Sequence, residues 1–187
     1  MWPRTCRSRL TSRMTPAARD KILRGNASQF FVAGELSRRG YTAVVTLGNT
    51  PNVDVLCSNR EGTRFVHIQV KTFEPRRRTC SVGKKAERDF GPTFFWILAG
   101  IPTADSGRAF EYYVVPSRIM ADEVTRAHRA WLNTRGAKGQ EHKDSKIRVV
   151  HLPPRSTGGW DISPYLNKWD LIEEKLTGNS DHTARDS

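Results

Sequence analysis

Cysteine is scarce in this sequence, and no apolar run is long. Cys6, Cys57 and Cys80 stand at wide, unpatterned spacings. Three such thiols exclude a disulfide framework and a zinc-finger site, and they favour a reducing, cytoplasmic location. No apolar stretch approaches the roughly 20 residues of a membrane-spanning helix, so we expect no membrane partner. The opening residues 1–13 carry four arginines but no apolar core, which argues against a secretory signal.

Acidic residues are also few relative to basic ones. The 187 residues include 31 Lys and Arg against 19 Asp and Glu, so the net charge is +12. A polyanion is the natural partner of such a chain, and we expect nucleic acid, DNA ahead of RNA. The length suits one domain. We expect a basic, disordered arm over 1–13, a single domain over 14–177 and a flexible tail over 178–187, with Met14 as an alternative start of translation.

The stretch 50–73 has the pattern of a β-hairpin. Two apolar-rich runs, Val53–Ser58 and Arg64–Phe73, flank the turn-forming segment 59–62. If Arg60 and Glu61 form a two-residue loop, Asp54 faces His67. This register predicts that alternate side chains share one polar face.

The polar face of this hairpin contains Asp54, His67, Gln69 and Lys71. Polar groups within well-formed strands are costly unless they are paired or functional. One interpretation is the solvated outer face of an edge hairpin. The other is a metal-dependent centre that cleaves phosphodiesters, in which a carboxylate and a second oxygen hold Mg²⁺ and a lysine activates water.

Regular elements are predicted on both sides of the hairpin. A helix is expected from the N-cap Thr15 to the stop at Gly40, with Ile22, Gln29, Ala33 and Leu36 along one apolar stripe, beside Leu23 and Phe30. The expected strands outside the hairpin are Tyr41–Leu47, Thr93–Ala99, Ala109–Val115 and Lys146–Leu152. Further helices are expected to begin at Ser117 and Ser163. This order indicates an α/β fold.

A basic segment, 74–91, follows the hairpin directly and is expected to be a loop or a short irregular segment. Its residues Arg76, Arg77, Arg78, Lys84 and Lys85 are candidates for contacts with the phosphates of a nucleic acid. The alternative is an ordinary solvated surface.

Three short motifs resemble a known nuclease core. Gly25-Asn26-Ala27-Ser28-Gln29, followed by Leu36 and Gly40-Tyr41, is similar to the first helix of archaeal Holliday-junction resolvases. Pro51-Asn52-Val53-Asp54 resembles the Pro-Asp element, and Gln69-Val70-Lys71 resembles the (D/E)-X-K element. Together they resemble the PD-(D/E)XK, or restriction endonuclease-like, nuclease superfamily over about a quarter of the chain.

The resemblance implies a fold and a set of roles. The implied fold is a mixed central sheet of about four to five strands flanked by helices. The implied cofactor is Mg²⁺ or Mn²⁺ held by Asp54 and Gln69, with Lys71 positioning hydroxide and Gln29 orienting water. The sequence departs from the pattern because glutamines replace acids at 29 and 69, and because the proline lies three residues before Asp54.

Two classes of function follow from these observations. The first is a divalent-metal-dependent nuclease acting on DNA, less readily on RNA. The second is an inactive protein of the same fold that binds nucleic acid or regulates, or an immunity-type protein-interaction module. The glutamines favour the second class, whereas the retained Asp54 and Lys71 favour the first. A homodimer is left open.

Overall fold

The computed structural model describes residues 16–46, 51–75, 77–155 and 159–178. The expected arm over 1–13 and nearly all of the expected tail over 178–187 lie outside these ranges. The described strands are β1 (Thr42–Val45), β2 (Val55–Ser58), β3 (Phe65–Phe73), β4 (Thr79–Ser81), β5 (Phe94–Gly100), β6 (Glu111–Pro116) and β7 (Val149–His151). The described helices are α1 (Pro16–Arg38), α2 (Ser117–Leu132) and α3 (Asp170–Thr177), with 3-10 turns at Lys84–Glu87 and Ser163–Tyr165.

A mixed five-stranded sheet forms the centre of the molecule. Its strand order is β1-β2-β3-β5-β6, and only the β3–β5 pair is parallel. Strand β5 is apolar throughout and every residue in it is buried, as expected of a central strand covered on both faces. The α/β class and the mixed sheet flanked by helices are therefore confirmed.

Different elements cover the two faces of the sheet. Helices α1 and α3 cover one face, where Leu36 and Ile172 join Ile68 and Ile97 in one apolar cluster. Helix α2 and the small antiparallel β4–β7 sheet cover the other, where Met120 and Val150 pack with Trp96 and Leu98. Within the described ranges, no helix combines the length and apolarity needed to cross a bilayer.

Helix α1 buries only part of the stripe that was expected. Ala33 and Leu36 are buried as predicted, together with Val32, but Ile22, Leu23 and Phe30 are exposed. Apolar residues lie on two sides of this helix, and periodicity alone does not say which side meets the sheet. The buried side runs through Ser28, Val32 and Leu36, at successive four-residue steps.

Two segments after the hairpin also differ from expectation. The basic stretch 74–91, expected to be irregular, contains β4 and the first 3-10 turn because Cys80, Val82 and Ala86 anchor it to the core. The last helix was expected from Ser163 but begins at Asp170. The chain makes only a 3-10 turn at Ser163–Tyr165, and Asn167 then adopts a positive φ of 53° that interrupts any helix.

Candidate active site

The β2–β3 hairpin has a longer loop than the sequence predicts. Ser58 pairs with Phe65, and Leu56 pairs with His67, so the prediction that Asp54 faces His67 is wrong. The side chain of Asn59 closes the loop, because its Oδ1 accepts the backbone N–H groups of Thr63 at 2.9 Å and Arg64 at 3.1 Å. The pairing has moved by two residues, which is one full period of side-chain alternation, so the side chains keep their faces.

Asp54 and Gln69 are therefore brought together. Oδ2 of Asp54 accepts a hydrogen bond from the Gln69 side-chain Nε2, and a second one from the Val70 backbone N–H at 2.7 Å. The backbone of Asp54 is held from both sides, since its carbonyl accepts the Thr46 N–H at 2.9 Å and its N–H donates to Ile68 at 2.8 Å. This carboxylate is fixed in position just before β2 begins.

Lys71 lies two residues beyond Gln69 on the same face of β3. Its Nζ stands over the indole of Trp96, 5.9 Å from the ring centroid. Trp96 is the β5 partner of Gln69, so the ring forms a floor beside both side chains. The ammonium also lies close to buried Cys80: burial raises the pKa of that thiol to about 12, and the charge of Lys71 acts in the opposite direction.

His67 and Gln29 take other positions. His67 is exposed on the polar face, two residues before Gln69. Gln29 lies on α1, which packs on the opposite face of the sheet. Its neighbour Ser28 meets Thr72 of β3, with the two hydroxyl oxygens 2.6 Å apart. Among the described residues, the hydrogen bonds join Gln69 to Asp54 and do not include Gln29.

The donor set decides whether a metal fits this site. Among the described residues there is no cluster of three or more His, Cys, Asp or Glu side chains that could hold an ion. Asp54 offers one carboxylate, and Gln69 offers an amide oxygen once that amide turns its nitrogen away. Mg²⁺ commonly binds through one or two carboxylates, with water and substrate phosphate completing the shell. The residues fit a weakly held Mg²⁺ or Mn²⁺.

Asn52 is a polar residue that the sequence reasoning did not assign. It lies two residues before Asp54 with a positive φ of 66°. Its Oδ1 is buried and finds no hydrogen-bond partner among the described residues. The indole Nε1 of Trp96 is orphaned in the same way. Unsatisfied buried groups of this kind often lie next to a functional polar site. The sequence could have predicted only the positive φ of Asn52, because asparagine tolerates that conformation in a turn and follows Pro51 here.

The basic residues differ in how freely they can meet a ligand. Arg77 is 77% exposed and pairs with Glu74 at 3.3 Å. Nη1 of Arg78 donates to Oε2 of Glu111 at 2.8 Å, which ties the start of β4 to β6. Lys84 and Lys85 are exposed on the 3-10 turn, which packs on the same sheet face as Trp96. Arg76 lies outside the described residues.

No family model matches the sequence, and no curated protein matches it. A solved structure does resemble it. The bacterial homing endonuclease I-Ssp6803I aligns with a TM-score of 0.50 at 16% sequence identity, over 84% of this chain and 94% of that chain. The two chains share a fold. At this identity the likeness concerns the arrangement of helices and strands, and it extends over nearly the whole of the endonuclease chain.

Proposed function

We propose that this chain is a divalent-metal-dependent nuclease of the PD-(D/E)XK type that cleaves DNA, and RNA less readily. The observation that carries the proposal is the convergence of Asp54, Gln69 and Lys71 on one face of the β2–β3 hairpin, with the carboxylate hydrogen-bonded to the amide. The fold shared with a homing endonuclease and the net charge of +12 support it. The buried free thiols of Cys57 and Cys80 suit a reducing cytoplasm.

Each residue has a role that follows from its position. Asp54 and Gln69 would hold Mg²⁺ or Mn²⁺, which supplies a more acidic bound water and neutralises charge on the phosphate. Lys71 brings a cation to the same face. Its ammonium can donate to the attacking water or to a phosphate oxygen, and the Trp96 ring restricts where that ammonium goes. The resemblance gives Gln29 the role of orienting water, although α1 carries it on the opposite face of the sheet.

The alternative is a protein of this fold that binds nucleic acid without cutting it. One observation favours it: Gln69 and Val70 already satisfy Oδ2 of Asp54 without any cation. A glutamate at position 69 would repel Asp54 and create a need for metal, whereas glutamine removes that need. The lysine is harder to explain in this alternative, because binding alone does not require an ammonium on the same face as Asp54 and Gln69.

The experiment is cleavage of duplex DNA by purified protein with Mg²⁺ or Mn²⁺, and with EDTA. We expect Asp54→Asn and Lys71→Met each to reduce cleavage by at least about 100-fold, since each removes a group that acts on the reacting phosphate. Both variants should fold and still retain DNA in a gel-shift assay. Lys168→Met is the matched control, since Lys168 is an exposed lysine paired with Asp170 on the α3 side.

The outcomes separate the two functions. Metal-dependent cleavage that both substitutions remove supports the nuclease. DNA binding without cleavage at any metal concentration supports the binding protein. Cleavage that survives both substitutions would assign the activity to another site or another protein.

A further inference from the structure

The outer side of α1 carries large apolar side chains that no part of the described structure covers. Leu23 is 59% exposed and Phe30 is 61% exposed, and Phe31 beside them is exposed as well. Phe31 continues this surface onto Phe110, at 4.8 Å between ring centroids. We call the surface formed by Leu23, Phe30, Phe31 and Phe110 the α1 outer face. It lies opposite the helix side that packs on the sheet.

The stripe along this face has the spacing of a helix–helix contact. Leu23, Ala27, Phe30 and Gly34 follow one another at steps of four, three and four residues, so they align along one side of the helix. Large and small residues alternate along it. Such a stripe fits a partner helix whose large residues enter over the small ones.

Packing among the described residues gives no reason for a glycine at position 34. A glycine inside a helix costs about 1 kcal/mol relative to alanine. A β-carbon added at Gly34 would meet no atom of the described residues within 4 Å, so packing inside the chain does not require its absence. A second helix approaching closely at this point would require it.

We propose that the α1 outer face binds the same face of a second copy of this chain, with the two α1 helices antiparallel about a two-fold axis. Leu23 and Gly34 lie at equal distances from the midpoint of the stripe, and so do Ala27 and Phe30. In an antiparallel pair, Leu23 therefore packs on the partner's Gly34, and Phe30 packs on the partner's Ala27. A two-fold interface must be complementary to itself, and this alternation of sizes meets that condition.

The exposed area agrees with a dimer of ordinary size. The four apolar residues of the α1 outer face leave on the order of 400 Å² exposed per copy, at about 200 Å² for a whole side chain of this size. One partner in a standard interface buries about 800 Å², of which a little over half is apolar. The face therefore supplies most of the apolar part of such an interface. Because α1 lies on the opposite side of the sheet from Lys71, pairing leaves both candidate sites open.

The test is the mass of the full chain in solution, by light scattering or sedimentation at micromolar concentration. We expect about twice the chain mass of 21.2 kDa for the parent. Phe30→Glu should raise the dimer dissociation constant by about 100-fold or more, because each dimer contains the substitution twice and so loses two buried phenylalanine side chains. Phe65→Glu is the matched control: Phe65 is an exposed phenylalanine at the start of β3, and that variant should remain a dimer.

The register has its own test. Gly34→Leu should dissociate the dimer, because the new side chain occupies the space of the partner's Leu23. It should leave the folded monomer at least as stable to heat, since the added atoms meet open space and glycine is a poor helix former. Adding Leu23→Ala to Gly34→Leu exchanges large for small within the pair and should restore association.

Three results would overturn the proposal. The first is a monomeric parent at these concentrations. The second is a dimer that Phe30→Glu and Gly34→Leu leave unchanged, which would locate the interface elsewhere. The third is a monomer whose thermal stability falls in Phe30→Glu, which would mean that another part of the same chain covers the face. Circular dichroism of each variant distinguishes dissociation from unfolding.

Discussion

A neutral amide beside a carboxylate is the chemical signature of the candidate site. Gln69 is only 8% exposed, and its Nε2 has Asp54 as an acceptor, so burial of this polar side chain is compensated. Asp54 gains two donors without facing a second negative charge. The pair is therefore satisfied in the absence of a cation, and under the proposed function glutamine at this position should weaken metal affinity.

Replacing Gln69 by glutamate should strengthen metal binding. A second carboxylate of nearly equal size would lie beside Asp54, and we expect Mn²⁺ affinity to rise by about 10-fold or more. Cleavage should then appear or increase at Mg²⁺ concentrations where the parent is weak. Without metal, two like charges side by side should lower the melting temperature. Calorimetric Mn²⁺ titration with thermal melts in EDTA measures both effects.

Gln29→Glu is the natural comparison for this experiment. The resemblance gives residue 29 a metal-site role, but Gln29 lies on α1 outside the Asp54 hydrogen bonds. Its effect should have the same sign and be smaller. Equal Mn²⁺ affinities for the parent and Gln69→Glu would mean that residue 69 does not act with Asp54 on a cation.

At the scale of single residues, the sequence predicts part of this site well. Alternation along β3 is enough to put Gln69 and Lys71 on one face. A register error of two residues leaves each side chain on the same face, so this prediction does not depend on the loop length. The contact between Lys71 and Trp96 was not predictable. Strand β5 pairs with β3 in parallel after a crossover of about 20 residues, and the whole fold decides which strands pair across so long a connection. Asn52 escaped notice because an orphaned oxygen is visible only in three dimensions.

At the scale of elements, errors arose where a side chain or a distant contact decides a boundary. The hairpin loop is longer than two residues because Asn59 satisfies two backbone N–H groups that a tight turn would have paired. The side of α1 that faces the sheet is decided by packing on β3, which helical periodicity does not contain. Strand β5 was located to within a residue because seven consecutive buried apolar residues leave no other interpretation.

One carboxylate in the loop after α2 contacts both that helix and the first 3-10 turn. Asp144 Oδ1 lies 2.9 Å from Nε2 of His128 on α2, and Nη2 of buried Arg148 donates to the same oxygen at 3.2 Å. Lys84 reaches the other oxygen at 3.5 Å. The hydrogen bond from His128, with the nearby cations Lys84 and Arg148, lowers the pKa of Asp144 to about 2.

Asp144 should therefore stabilise the fold in a pH-dependent way. A lowered pKa in the folded state gives stability that is fully present above the ordinary aspartate pKa of about 3.9 and is lost as the pH falls toward 2. We expect Asp144→Asn to lower the free energy of unfolding at pH 5, and the difference from the parent to shrink toward zero near pH 2. Urea unfolding across this pH range measures it. Asp105→Asn, in an exposed loop, is the control, and a difference independent of pH would contradict the assignment.

At the scale of the whole molecule, the net charge overstates how much positive charge is available to bind a ligand. Several arginines are committed to carboxylates: Arg39 to Glu35 and Glu173, Arg78 to Glu111, and Arg148 to Glu87. Each of these pairs reduces the positive potential around it. Lys84 and Lys85 lie on the side of the sheet that carries Lys71, which makes the 3-10 turn the best-placed part of the expected phosphate-binding segment.

DNA binding should accordingly depend steeply on salt, and on this side of the molecule in particular. Each phosphate contact contributes about 0.9 to the slope of log affinity against log salt concentration, so Lys84→Ala with Lys85→Ala should lower that slope by up to about 1.8. Replacing Arg76, Arg77 and Arg78 by alanine should likewise weaken binding to all sequences alike, since phosphate contacts carry no sequence information. Arg78 should contribute least to this loss, because it is paired with Glu111.

A control that removes the same charge elsewhere makes this prediction specific. Arg38→Ala with Lys168→Ala also removes two positive charges, from exposed side chains on the α1 and α3 side of the sheet. If only the total charge mattered, both pairs would shift the affinity at low salt equally. If phosphates run along the 3-10 turn, only the Lys84 and Lys85 pair changes the slope, because only contacts at the interface release counterions when DNA binds. Fluorescence anisotropy with one labelled duplex, from low to moderate salt, gives both slopes, and equal slopes for the two pairs would place the DNA elsewhere on the protein.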